Sequence, residues 1–277
     1  MQVVFYICVF ILGACFGSFL CCQARRLRLK ETHKKPLGRR SVCLSCKHQL
    51  AWYENIPIVS WLIQKGKCNK CGKEIGIAEF ISELGVALAF LAVSVAFMNS
   101  FVPPSSAFIF STNNLFAWSV YILTLLLTLS LSFLAIYDGL YGELPSLCLG
   151  ISAILAIIIL TLKLWAEFSV TGFMLRPILD TLFAIGVLGG VYLILFVVSR
   201  GKWVGDGDWI LGSIIAAVLG TPWYALIALF IANASACAIM YPTVRKSKNH
   251  KVFFGPFLVL AFVLTLLIQS YGIINLW

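Results

Sequence analysis

The chain has 277 residues, of which 61% are hydrophobic and only 12% are charged, and its mean hydropathy is +0.96. Soluble domains carry about 25% charged residues, so this composition excludes a soluble globular protein and predicts one that crosses a membrane several times. The net charge of +10 is concentrated in a few short segments, which is typical of cytoplasmic loops and argues against nucleic-acid binding.

Eight long apolar runs predict an all-α polytopic membrane protein with about eight transmembrane helices. They cover residues 3–22, 79–98, 115–137, 144–165, 177–198, 208–220, 222–241 and 253–274. Helices are expected rather than a β-barrel, because the runs are continuous and do not alternate with polar residues. The first run resembles a secretory signal only superficially, since its basic residues follow it instead of preceding it. It is expected to be a retained helix with its N-terminus outside.

The distribution of Lys and Arg predicts the orientation of the chain. With the N-terminus outside, four loops are cytoplasmic: residues 23–78, 138–143, 199–207 and 242–252. These loops contain 19 of the 21 basic residues, 13 of them in the first loop, and the opposite face has only Lys163 and Arg176. Such a split follows the positive-inside rule.

The sixth apolar run is too short for an ordinary membrane span. Its 13 residues would cover about 20 Å as a helix, against a hydrocarbon core of about 30 Å. The sequence "GTPW" at 220–223 is expected to break the helix. A single crossing by 208–241 would move the basic segment 245–251 outside, so we expect two crossings or a short helix that begins deep in the protein. The second option would place Asp208 below the membrane surface.

Four of the ten cysteines form a metal-binding pattern. "CLSC" at 43–46 and "CNKC" at 68–71 are two C-x2-C pairs with 21 residues between them, a spacing that suits structural Zn²⁺ held by Cys43, Cys46, Cys68 and Cys71. Because the loop has few large apolar residues, metal binding would supply its folding energy. The alternatives are spare thiols, a redox pair, or His48 as a substitute ligand. The other cysteines lie in or beside apolar runs, where Cys behaves as a small hydrophobic residue.

Three carboxylate positions near the membrane are candidates for chemistry: Asp138, Asp180 and the pair Asp206 and Asp208. Asp138 and Asp208 are predicted at the cytoplasmic ends of different helices, whereas Asp180 is expected near the opposite face as a solvated helix-end residue. Two carboxylates held close together share one proton, which is what an aspartic peptidase requires. The alternative is that each is an ordinary acid at a helix end, since Asp at a helix N-terminus is favourable by itself.

Several segments resemble the type IV prepilin peptidases, a family of polytopic aspartic peptidases. "GDGD" ending in Asp208 is similar to their G-x-G-D motif, and "DGLYGELP" (138–145) has their other aspartate with a proline seven residues on. Four further segments resemble family motifs: "GACFGSFL" (13–20), "RRSVCLSCKHQLAWYENIPIVSWLIQKGKCNKCGKEI" (39–75), "AEFISELGVAL" (78–88) and "FFGPFL" (253–258). The matches span nearly the whole chain in the family's order.

The resemblance implies a multi-pass enzyme of the bacterial inner membrane that removes the basic leader of type IV prepilins or pseudopilins. Cleavage would follow a glycine at the cytoplasmic membrane boundary, with Asp138 and Asp208 as the catalytic pair. It also implies that the new N-terminus is methylated with S-adenosylmethionine, although no methyl-transfer residue is assigned. The chain would then comprise a first transmembrane helix (1–22), a cytoplasmic zinc-binding loop domain (23–78) and a transmembrane aspartic peptidase domain (79–277), with membrane lipid as its surroundings and no nucleic acid as partner.

Some residues depart from the family's pattern or have no assigned role. Ile210 stands where the family usually has lysine, and Leu44 stands where the first cysteine pair often has proline. Asp206 is an additional carboxylate two residues from Asp208. Glu83 is a candidate contact for methyl transfer, with an ordinary acid at a helix entry as the alternative.

Two other functions are compatible with parts of the sequence. One is a G-x-G-D peptidase that acts on other membrane proteins, which the zinc loop argues against. The other is a catalytically silent transporter or assembly scaffold with a zinc-clipped loop, which Ile210 favours. Asn in place of either aspartate separates these functions, because it keeps the shape of the side chain and removes the shared-proton chemistry.

Overall fold

The computed structural model describes residues 2–32, 41–43, 45–101, 112–201, 204–246 and 253–272. Arg39, Arg40, Leu44, Lys248 and Lys251, which belong to segments discussed above, lie outside these ranges.

Helices make up almost all of the described structure. The long and medium helices are α1 (Gln2–Glu31), α3 (Ile77–Phe101), α4 (Thr112–Tyr141), α5 (Ser146–Thr171), α6 (Leu175–Ser199), α7 (Asp208–Leu219), α8 (Pro222–Lys246) and α9 (Gly255–Ser270). A 3-10 turn (Trp52–Asn55) and the short helix α2 (Val59–Ile63) lie between α1 and α3. No extended strand occurs within the described ranges, where only two isolated β-bridges are found.

The predicted fold class, an all-α polytopic membrane protein, is confirmed. Within the described residues, six helices are long and apolar enough to cross a membrane, and α7 and α9 are shorter apolar helices. Together they correspond one by one to the eight apolar runs of the sequence.

Proline and glycine determine where several helices begin and end. α5 begins directly after Pro145, and Gly172 ends it in the left-handed conformation with φ of 72°. The predicted break at 220–223 is confirmed, because α7 ends at Leu219 and Gly220 has φ of 77°. Glycine adopts this conformation without the steric cost that a Cβ atom brings. α7 is therefore a separate helix of 12 residues.

α1 continues nine residues beyond its apolar run, to Glu31. The extension contains Arg, Leu, Lys and Ala, which are good helix formers, so hydropathy marks the expected end of the membrane span but not the end of the helix. The Arg25 guanidinium at this end forms an ion pair with Glu79 of α3.

The chain divides into two compact units, Met1–Leu91 and Ala92–Trp277. In the first unit, α1 and α3 approach closely at Gly13 and Gly17. A Cβ at Gly13 would lie 2.8 Å from the Cα of Ala87, and one at Gly17 would lie 2.6 Å from the Cα of Glu83. This is the close approach that small residues four apart allow between membrane helices. The predicted boundary between a loop domain and a peptidase domain at 78/79 stays a prediction.

The second unit is built around α7, most of which is buried. α6 packs against α7 where both are narrow, since a Cβ at Gly212 of α7 would lie 3.6 Å from the Cα of Gly189 in α6. α4 and α5 are joined by a hydrogen bond of 2.7 Å between the hydroxyl groups of Ser130 and Ser152. Such bonds hold apolar helices together where water is absent.

Candidate functional site

Asp138 lies one turn before the C-terminal end of α4, and its side chain is only 6% exposed. Its Oδ2 accepts a hydrogen bond of 2.8 Å from the backbone N–H of Gly255, the first residue of α9. A Cβ at position 255 would lie 2.8 Å from this same Oδ2. Glycine is therefore required there for the α9 backbone to reach the carboxylate.

Asp208 is the first residue of α7 and is also 6% exposed. Its Oδ2 accepts a hydrogen bond of 2.9 Å from the backbone N–H of Gly205. The carboxylate is thus held by the glycine-rich turn that precedes its own helix.

The structure brings Asp138 and Asp208 together. Their carboxyl groups lie within electrostatic range of each other. The segments that follow and precede them are also in contact, because a Cβ at Gly207 would lie 2.7 Å from the Cδ1 of Leu144. The absence of a side chain at Gly207 of "GDGD" leaves room for the side chain of Leu144.

Tyr192 of α6 is a buried neighbour of this pair that the sequence analysis did not identify. Its ring packs on that of Phe254 with centroids 5.7 Å apart, directly before the glycine that binds Asp138. Its hydroxyl group accepts a hydrogen bond of 3.3 Å from Asn233 of α8 and lies within electrostatic range of Asp208. A tyrosine inside the apolar run "GGVYLIL" was the available signal.

The other carboxylates are placed differently. Asp206 is exposed, although it lies within electrostatic range of Asp208. Asp180 is half-buried near the start of α6, whereas the loop leading to Asp208 follows the end of that helix. Ile210, in place of the family's lysine, is half-buried in the first turn of α7.

In the first unit, the four predicted zinc ligands form one cluster. The Sγ atoms of Cys43, Cys46, Cys68 and Cys71 all lie within 4.8 Å of one another, and those of Cys43 and Cys71 are 3.9 Å apart. Tetrahedral zinc with Zn–S bonds of about 2.3 Å needs sulfur atoms about 3.8 Å apart. The donor set and its dimensions therefore fit zinc.

The two cysteine pairs have the same backbone geometry. The N–H of Cys43 donates to the carbonyl of His48, and the N–H of Cys68 donates to the carbonyl of Lys73, five residues on in both cases. Lys47 and Gly72, one residue after each pair, have positive φ values of 61° and 68°. A hydrogen bond from the Cys46 backbone is the main reason that the pKa of the Cys43 thiol is lowered to about 6. The pKa of the Cys71 thiol is instead raised, to about 11, so of these two thiols Cys43 more readily becomes the thiolate that binds metal.

Glu54 joins the two cysteine pairs and was not identified from the sequence. Its carboxylate accepts hydrogen bonds from the Ala51 N–H at 2.8 Å and from the Asn69 amide at 2.9 Å. The pKa of Glu54 is lowered, chiefly by the Ala51 hydrogen bond. His48 lies 3.7 Å from the same carboxylate and is not among the cluster's four ligands.

Glu83 has a structural partner in the loop. It is 8% exposed, and its Oε2 accepts a hydrogen bond of 2.7 Å from the N–H of Ile58. Ile58 has φ of 65°, which is unusual for a β-branched residue, and the carbonyl of Pro57 accepts the N–H of Val59 across it at 2.6 Å. Glu83 therefore holds a tight, strained turn against α3.

Comparisons with known proteins find related sequences. Residues 11–97 match the family model "Bacterial Peptidase A24 N-terminal domain". A prepilin leader peptidase/N-methyltransferase of Dichelobacter nodosus is 32% identical over 231 residues, which cover 82% of this chain and 70% of that protein.

Two further relatives have the same name. The Myxococcus xanthus protein is 42% identical over 88 residues, covering 32% of this chain and 25% of its own length. The Vibrio cholerae protein is 32% identical over 110 residues, covering 37% of this chain and 44% of its own. These two matches thus span less than half the length of either relative. No solved structure matches the chain.

The similarity to the Dichelobacter protein extends over most of the two chains. The family model for the N-terminal segment indicates the same family. The chain belongs to the prepilin leader peptidase/N-methyltransferase family.

Proposed function

We propose that this protein is a membrane aspartic endopeptidase that removes the short basic leader from type IV pilin-like precursors. Asp138 and Asp208 are its catalytic residues, and cleavage follows a glycine at the cytoplasmic membrane boundary. The names of the relatives support processing of prepilins, and the positive-inside distribution of Lys and Arg supports a cytoplasmic site in the inner membrane.

The observation that carries the proposal is the pairing of two buried carboxylates from different helices. Each is 6% exposed and each is held through Oδ2 by one backbone N–H, from Gly255 and from Gly205. Ionised carboxylates are expensive beside lipid and mark functional sites when they occur there. The two groups also lie within electrostatic range of each other, which two unrelated acids at helix ends would have no reason to do.

The mechanism follows from the proximity of the two groups. Two neighbouring carboxylates that are removed from water share one proton. The ionised member takes a proton from a water molecule, whose oxygen attacks the carbonyl carbon of the scissile peptide bond. The protonated member donates its hydrogen to the carbonyl oxygen. When the C–N bond breaks, the protonated member gives its proton to the leaving amine and the ionised member takes a proton from a hydroxyl group of the tetrahedral intermediate, so the two carboxyl groups again hold one proton between them.

The position of the site suits the substrate class. A prepilin has a basic leader followed by an apolar helix, so a dyad at the membrane boundary cuts the junction without extracting the helix. Basic leader residues at the surface of an anionic leaflet gain about 1 kcal/mol each.

The Cys43, Cys46, Cys68 and Cys71 cluster holds a structural Zn²⁺ in this proposal. The metal would supply folding energy to a loop with little apolar core. Glu54 supports it by accepting hydrogen bonds from the Ala51 N–H, which follows the first cysteine pair, and from the amide of Asn69, which lies within the second.

N-methylation with S-adenosylmethionine is the second activity that we assign to this chain, on the strength of the relatives' names. The first unit has a cavity of about 200 Å³ lined by Arg25, Glu54, Glu79 and Glu83 among others. Pockets that enclose ligands of this size measure about 300–1,000 Å³. The cavity as it stands does not enclose the methyl donor, and we assign no residue to the transfer.

The mass of the product's N-terminus tests both activities. Purified protein is incubated with a precursor that has a basic leader ending in glycine and a following apolar helix, with and without S-adenosylmethionine. We expect a mature chain that begins directly after the glycine, and a mass increase of one methyl group only with the donor. An unprocessed precursor would contradict the peptidase assignment, and a processed chain that is never methylated would remove the second activity alone.

Replacing Gly255 by Ala is expected to reduce cleavage by about tenfold to 100-fold. The new Cβ would lie 2.8 Å from Oδ2 and 3.1 Å from the Cβ of Asp138, so the carboxylate must move, and a misplacement near 1 Å can cost about 100-fold in rate. Initial cleavage rates measure the effect. Gly139→Ala is the control, because its Cβ would make only an ordinary contact of 3.6 Å with Pro256. Equal rates for the two variants would show that the Gly255 contact does not position Asp138.

A further inference from the structure

Lys163 is a basic residue inside a membrane-spanning helix that the proposed mechanism does not use. It lies in the candidate span Ser146–Thr171, and its side chain is half-buried. A lysine at this depth is costly unless it has a polar partner or lines a hydrated cavity. The first condition is met here, and the side chain also lines a cavity.

The partner of Lys163 is the last turn of α7. Its Nζ donates a hydrogen bond of 2.7 Å to the backbone carbonyl of Val218. The final carbonyl groups of a helix have no partner within the helix, and Val218 itself is buried. Lysine also brings a positive charge to the negative end of the helix dipole. The ammonium group therefore caps α7 from a neighbouring helix.

The cavity beside Lys163 lies where α7 stops short. It measures about 500 Å³, and its lining includes Lys163, Glu167, Thr181, Thr221 and Gln269. A helix of 12 residues is about 18 Å long, so it leaves space at its C-terminal end that a full-length span would fill. The Lys163 side chain reaches across this space to the α7 backbone.

We propose that Lys163 is a positioning residue for Asp208, which it holds in place through α7. Lys163 contacts the last turn of the helix and Asp208 is its first residue. A helix of three turns is stiff along its axis, so a shift at Val218 is transmitted to the carboxylate. Because it concerns the placement of Asp208, the inference rests on the proposed function.

Steady-state cleavage by the full-length protein tests the proposal. Lys163→Met keeps the length of the side chain and removes the hydrogen bond and the charge. We expect kcat to fall about tenfold to 100-fold while KM stays within about twofold, because the substrate does not meet Lys163. Lys163→Arg keeps a cationic donor and is expected to restore most of the rate. Arg176→Met is the matched control: it removes the other basic residue of that face, is exposed, and is expected to cleave at the parent rate.

A disulfide crosslink reports the position of α7 without using activity. A Cβ at Gly207 would lie 2.9 Å from the Cβ of Leu144, about 1 Å closer than the Cβ atoms of a disulfide, so a small outward shift of the turn brings cysteines at these two positions to bonding distance. The pair Leu144→Cys and Gly207→Cys is therefore expected to crosslink in the Lys163 protein, and the yield, read by mass spectrometry, is expected to fall several-fold with Lys163→Met.

The outcomes distinguish the positioning role of Lys163 from the proposed function. Parent-like kcat and crosslinking in Lys163→Met, with Asp208→Asn inactive, would overturn the positioning role alone. Full activity in Asp208→Asn would overturn the proposed function. The crosslink would still decide whether Lys163 holds α7. An unchanged disulfide yield in Lys163→Met would refute this role of Lys163, and a reduced yield would support it.

Discussion

Asp208→Asn is expected to reduce cleavage of a prepilin-type precursor by about 10²-fold to 10⁴-fold, the range over which general acid–base groups contribute. Asparagine keeps the shape of the side chain and its contact with the Gly205 N–H, but it can neither take nor carry the proton of the pair. The same loss is expected for Asp138→Asn, whose partner is Gly255. Initial rates with purified protein in detergent measure both.

The double variant and a distant aspartate complete this experiment. Asp138→Asn combined with Asp208→Asn should be little worse than either change alone, because residues that act as a unit lose their effect together. Asp180→Asn, near the start of α6, should cleave at the parent rate. If either single variant still processed the precursor at the parent rate, the catalytic pair would be misassigned.

Cys43→Ser is expected to remove one zinc ion per chain and to unfold the cysteine loop of the first unit. Zinc binding contributes about 10–16 kcal/mol to the folding of small zinc domains, and a loop that buries few large side chains has little else to offset its loss. Metal content by mass spectrometry and the rate of proteolysis between residues 41 and 76 are the measurements. A chelator added to the parent protein is expected to expose the same segment to proteolysis.

Cys237→Ser is the matched control for the zinc experiment, because Cys237 is exposed on α8 and lies outside the cluster. It should retain the metal and resist proteolysis as the parent does. A parent-like zinc content in Cys43→Ser would show that this thiol is not a ligand. If the metal is lost and the variant still cleaves the prepilin-type precursor, the loop serves folding or methyl transfer and not peptide hydrolysis.

The short helix α7 links these predictions. It is the most enclosed element of the second unit, it begins at a proposed catalytic residue, and its far end is capped by Lys163. A helix that spanned the full membrane would carry its first residue to the surface. Twelve residues instead let Asp208 lie buried, 6% exposed, beside Asp138.

Much of the fold was predictable from the sequence because a membrane imposes simple rules. Continuous apolar runs must become helices, since backbone groups in lipid need internal partners, and all eight runs did so. Gly220 and Pro222 predicted the break between α7 and α8 for a local steric reason. The zinc cluster was predictable because two C-x2-C pairs with a short linker bring four thiols into reach of one metal.

The contacts that build the candidate site depend on residues far apart in the chain, and no local pattern shows them. Gly255 binds Asp138 across 117 residues, and Lys163 binds Val218 across 55. Tyr192, Glu54 and the strained turn that Glu83 holds at Ile58 acquire their roles only when particular helix faces and loop backbones meet. Hydropathy and motif spacing depend on neighbours in sequence and therefore determined the helices and the ligand types. Which groups lie at hydrogen-bonding distance depends on how whole helices pack, and only the tertiary structure decided that.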